Sequence, residues 1–66
     1  MTLEELLLLP RPIPVRWHGT GGWHWGDVVA LEMAPNGILI AVISEAGKVI
    51  RKWPKSIYPS PPGVHP

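Results

Sequence analysis

Three histidines, His18, His24 and His65, are the side chains best suited to bind a metal at neutral pH. A structural zinc site asks for four ligands at set spacings, usually with cysteines among them. This chain has no cysteine, and a histidine pair six residues apart on extended chain has no fixed chelating geometry. Catalytic constellations are missing too. There is no Ser–His–Asp order and no pair of catalytic carboxylates. Gly19-Thr20-Gly21-Gly22 lacks the lysine and the following helix with which a P-loop cradles phosphates. Asp27, Glu32 and Glu45 read as solubilising or capping residues. The chain is expected to hold no metal and no cofactor, and not to be an enzyme.

Binding chemistry is better represented. Lys48-Val49-Ile50-Arg51-Lys52-Trp53-Pro54-Lys55 interleaves cations with an indole. Phosphates need positive charge, and exposed bases stack on a flat ring. The same lysines would also serve a solvated edge strand, where they discourage pairing with other chains. Charge is uneven: Arg11 and Arg16 against Glu4, Glu5, Asp27 and Glu32 leave residues 1–33 at −2. Lys48, Arg51, Lys52 and Lys55 against Glu45 leave residues 34–66 at +3.

The elements that must position these residues follow from pattern. Thr2 and Glu5 fit a capping box at the head of a leucine run, and Pro10 ends that helix. So short a helix must dock to persist. Its apolar run is too short to cross a bilayer, and no basic region or small-residue cleavage site marks it as a signal sequence. A cytoplasmic protein without membrane contact is expected. Arg11-Pro12-Ile13-Pro14 reads as a stiff polyproline connector. Strands are expected from Val15, over Val28–Met33, over Ile38–Ser44 and, last, over Val49–Trp53. Ala34-Pro35-Asn36-Gly37 and Ala46-Gly47 are the turns, with positive φ expected at Gly37. Lys55–Tyr58 suits one helical turn.

Strand alternation then sorts the faces. Val29, Leu31 and Met33 oppose Val28, Ala30 and Glu32, while Val49, Arg51 and Trp53 oppose Lys48, Ile50 and Lys52. Ile38–Ile43 is apolar on both faces, so each must be covered or used for binding. Val15, Val28, Ala30, Ile50 and one face of Ile38–Ile43 form the expected core.

At 66 residues the chain is one domain, and chains of this size bury only about 60% of their unfolded surface. Hydrophobic residues make up 45% and charged ones 17%, too apolar for a disordered chain. A net charge of +1 advertises no overall field. The expected fold is all-β: a small SH3-like barrel of four or five strands over residues 13–59. A short N-terminal helix and connector (1–12) precede it, and a proline-rich C-terminal tail (60–66) follows.

Pro14-Val15-Arg16, Val28-Val29-Ala30-Leu31, the Pro/Gly turn, Gly47-Lys48-Val49-Ile50-Arg51-Lys52, Pro54 and Tyr58-Pro59 resemble the crenarchaeal chromatin proteins with an SH3-like barrel. Tudor and KOW modules share much of that rhythm. The resemblance implies a sheet lying on the DNA minor groove, with Leu31 as the intercalating leucine. Val29 would stand where the family has a groove-facing tryptophan, and Arg51 would lie on the same surface. The chain is also similar to a plasmid-borne SH3-like dihydrofolate reductase through Ala41–Ala46 and Val49. That enzyme's catalytic Val-Gln-Ile-Tyr would fall where this chain has Val-Ile-Arg-Lys, so no reductase activity carries over.

These readings imply a non-catalytic nucleic-acid-binding module, with double-stranded DNA favoured over RNA. The expected contacts are Val29, Leu31, Lys48, Arg51, Lys52, Trp53 and Lys55. Single strands stacked on Trp53, or on Trp23 and Trp25, are the variant. The alternative is a protein–protein interaction or assembly subunit, with a partner or a second copy covering the apolar surface.

Overall fold

The computed structural model describes residues 1–60. Helix α1, Leu3–Leu8, starts as its sequence requires. The Glu5 N–H donates to Thr2 Oγ1 at 3.1 Å, and the Thr2 N–H donates to Glu5 Oε1 at 2.9 Å. Arg11 Nη2 donates to the Leu6 carbonyl at 3.1 Å and so satisfies an acceptor in the last turn. Of the leucines only Leu6 is buried; Leu3, Leu7, Leu8 and Leu9 are exposed.

Five strands follow: β1 Ile13–Gly19, β2 Gly22–Met33, β3 Leu39–Glu45, β4 Lys48–Lys52 and β5 Tyr58–Pro59. They form one antiparallel sheet in the order β4-β3-β2-β1-β5. Among the described residues no ladder joins β4 to β5, so the sheet is not closed. The chain is thus mostly β with one short helix, the coarser part of the expected architecture.

Several boundaries move. Ile13 and Pro14 belong to β1 rather than to a polyproline connector. Pro14 has no N–H to give the ladder, but its carbonyl accepts the Ser60 N–H at 3.0 Å. Trp23–Asp27, which precede the strand expected over Val28–Met33, already belong to the first half of β2. The strand ending at Lys52 is not the last, because a 3₁₀ turn at Pro54–Ser56 delivers the chain to β5. Gly37 has φ +84°, as its turn demands. The tail beyond Ser60, with His65, lies outside the described residues.

The largest correction is a β-bulge. Val28 pairs with Ile43 and Ala30 with Val42, which leaves Val29 without a partner. One extra residue reverses the in–out parity of everything after it. Leu31, paired with Ala41, therefore falls on the same face as Val28, and Ala30 and Glu32 fall on the other. The core on the inner face joins Ile13, Val15 and Trp17 of β1 to Val28, Ala41 and Ile43, closed over by Leu6 and Ile57. Ile50 and Leu31 pack against it, whereas Ala30, expected inside, is exposed.

Candidate functional site

The residues expected to touch nucleic acid do not share one face. Leu31 is turned to the core and half-buried by the bulge. Lys52, paired with Ala41, is also on the inner face, its Nζ 6.0 Å from the centre of the Trp17 ring. Arg51, paired with Val42, is on the outer face, where its guanidinium donates to both Glu32 carboxylate oxygens at 3.0 Å. The bidentate bond holds the Glu32 carboxyl below its ordinary pKa and Arg51 still more firmly protonated. An arginine so occupied must give up a carboxylate before it can hold a phosphate. Val29 and Lys48 are exposed, and Trp53 and Lys55 lie together beyond the end of β4.

Trp53 and Lys55 belong to a different feature. An open groove of about 750 Å³ runs between Met1 and Leu3, Met33 at the end of β2, the turn residues Gly37 and Ile38, and the Trp53-Pro54-Lys55 segment. Its walls are apolar side chains that water reaches: Leu3, Met33, Ile38 and Trp53 are 50%, 67%, 48% and 44% exposed. Lys55 has the one charged side chain in its lining. The N-terminal ammonium ties one wall to the other, donating to the carbonyls of Pro54 (2.9 Å) and Ile57.

The opposite end of β2 carries rings and charges. His24 stacks on Trp17, with ring centres 5.9 Å apart. Its Nε2 lies 2.8 Å from the Thr20 carbonyl and its Nδ1 lies 3.1 Å from Glu45 Oε2. A carbonyl and a carboxylate both accept, so this geometry suits the imidazolium, which donates from both nitrogens. The Thr20 bond first and the Glu45 bond second push the His24 pKa above its ordinary value. Nearby, on the outer face, the Arg16 guanidinium carbon sits 4.8 Å above the centre of the Trp23 ring. Tyr58 and His18 meet that ring edge-on at 6.0 and 5.2 Å. The buried indole N–H of Trp25, the cross-strand partner of Arg16, has no acceptor among the described residues.

No group of three or more His, Asp or Glu side chains converges among the described residues. No described helix is long and apolar enough to cross a membrane. Compared with protein-family models, curated proteins and solved structures, the chain matches none. The geometry of the molecule therefore carries the functional argument. Sequence reasoning singled out Trp53 and Lys55, as nucleic-acid contacts, and they line one wall of the groove. It missed the other because Leu3 and Ile38 come to face Trp53 only through tertiary packing. Arg16 and Tyr58 escaped it for the same reason: their meeting depends on the β1–β5 pairing.

Proposed function

We propose that this chain is a non-catalytic interaction subunit that holds an apolar segment of a protein partner in the groove between Leu3, Met33, Ile38 and Trp53. The observation that carries this reading is the groove itself, walled by large apolar side chains that remain wet. A domain this small gains most by covering such a surface. Lys55 at the rim favours a partner segment with a carboxylate beside its apolar residues. The five short antiparallel strands, the bulge in β2 and the 3₁₀ turn between the two edge strands support an SH3-like barrel, open between β4 and β5.

Selection from a random peptide library tests the reading. Enriched peptides should be apolar with an acidic residue, and Ile38→Asp and Trp53→Ala should each abolish their binding. Peptides that bind Ile38→Asp as well as the parent chain would remove the groove from consideration.

Duplex DNA is the second reading, favoured by exposed Val29 on the bulge and by Lys48 and Lys55, which form no ion pair among the described residues. It calls for binding at low salt with a shallow salt slope, reduced by Lys48→Ala and Lys55→Ala. Failure to bind duplex at low salt ends it.

A further inference from the structure

The cluster of Arg16, His18, Trp23 and Tyr58 has no part in the groove. It is drawn from three adjacent strands: His18 pairs with Trp23 across β1–β2, and Arg16 pairs with Tyr58 across β1–β5. Paired residues project to one side of a sheet, so all four share the outer face. The cluster is not buried: Trp23 is 43% and Tyr58 49% exposed, and Arg16 and His18 are exposed as well.

Two features separate this patch from ordinary surface aromatics. Arg16 forms no ion pair among the described residues, in contrast to Arg51. Its guanidinium lies instead over the Trp23 ring, a cation–π contact that holds the charge beside an aromatic face. The rings are also mutually braced. Tyr58 and His18 approach Trp23 at 77° and 87°, edge to face, which restrains the indole with little need for induced order on binding. A braced ring next to an unneutralised cation suits a ligand that offers a flat π-face and a negative charge a few ångströms away.

We propose that this patch is a stacking platform for single-stranded nucleic acid, with bases on Trp23 and Tyr58 and a backbone phosphate on Arg16. Base–aromatic stacking is indifferent to sequence because every base has a π-face. A duplex cannot use the platform, since its bases already stack on one another. A proline-rich peptide would also lie against such rings, but it brings no anion for Arg16. The platform is independent of the groove and would give the subunit a second ligand.

Fluorescence anisotropy of a labelled oligothymidylate of about ten nucleotides against the full chain, at several salt concentrations, tests the proposal. Single strand should bind in preference to duplex of the same length and to a proline-rich peptide. Its log–log salt slope should be about −0.7 to −1.4, the value for one or two phosphates. Trp23→Ala and Tyr58→Ala should each weaken binding by about fivefold or more. Arg16→Gln should flatten the salt slope by about 0.7, and Ile38→Asp should leave binding unchanged. If Trp23→Ala fails to fold by circular dichroism, Tyr58→Ala and Arg16→Gln carry the test, since both side chains are exposed. Absence of binding at low salt, equal binding by the Tyr58→Ala and Arg16→Gln variants, or preference for the proline-rich peptide would each overturn it.

Discussion

At its Gly22 end β2 runs among rings and charges, with His24 held by Thr20 and Glu45 and Trp23 beneath Arg16. At its Met33 end it runs into apolar side chains around an open groove, where Lys55 has the one charged side chain. Both ends belong to one antiparallel sheet and share one core, yet different forces finish them. Directional bonds hold His24 at the first end, where Arg16 stays without an ion pair among the described residues. Apolar contact at the second is incomplete, because the leucine helix contributes only Leu6 to the core. Arg16 keeps a charge that no described carboxylate neutralises, whereas the His24 clasp is satisfied without a partner. A region with wet apolar walls gains from one.

The comparison breaks most sharply at Leu6. Leu6→Ala should lower folding stability by about 2–5 kcal/mol, because it empties a site that the core closes over. Leu8→Ala, on the exposed side of the same helix, should change it by less than about 0.5 kcal/mol. Urea unfolding of both variants checks the contrast; equal effects would mean that α1 is not seated through Leu6. Gly26→Ala comes next. An added Cβ there would stand 2.7 Å from the Ser44 carbonyl oxygen and 2.9 Å from Ile43 Cγ2. Overpacking of this kind costs about 1–3 kcal/mol, which should appear as a lower urea midpoint with the groove still able to bind peptide.

A smaller effect belongs to the helix cap. Thr2→Ala removes the acceptor for the Glu5 N–H and should cost about 0.5–2 kcal/mol, loosening the groove end before the hairpin end. Hydrogen exchange resolved by residue would show it as faster exchange in α1 alone. The smallest effect sharpens the hairpin end. The folded-state pKa of His24 lies above the ordinary 6.5, so its clasp stabilises fully below that pH. The contribution fades as pH rises through the folded value. The urea midpoint of the parent chain should therefore fall as pH is raised from 6.5 upward, and His24→Gln should flatten that dependence. Lys52, two strands away on β4, opposes the charged form and limits the size of the effect.

Local chemistry was legible from the residues themselves. The Thr2–Glu5 box, the Pro10 stop, the positive φ at Gly37 and the turn at Ala46-Gly47 are each decided within a few residues. The candidate site was half legible. Trp53 and Lys55 stood out as an aromatic beside a cation, but strand alternation reads Val29, Leu31, Arg51 and Trp53 as a single surface with Lys55 at its flank. Alternation holds only while the ladder is unbroken, and nothing in Val28-Val29-Ala30 announces that Val29 will be the extra residue.

The sequence by itself determined a small, mostly β chain with a capped leucine helix, tight turns and more apolar surface than it hides. Each of those depends on backbone preference and composition, which act over short range. Tertiary structure alone decided that Leu31 packs inward, that Glu32 occupies Arg51, that Tyr58 reaches Trp23, and that Leu3 and Ile38 face Trp53 across a groove. These are meetings of residues distant in the chain. Their geometry depends on register, and the one unpaired residue in β2 sets that register for everything beyond it.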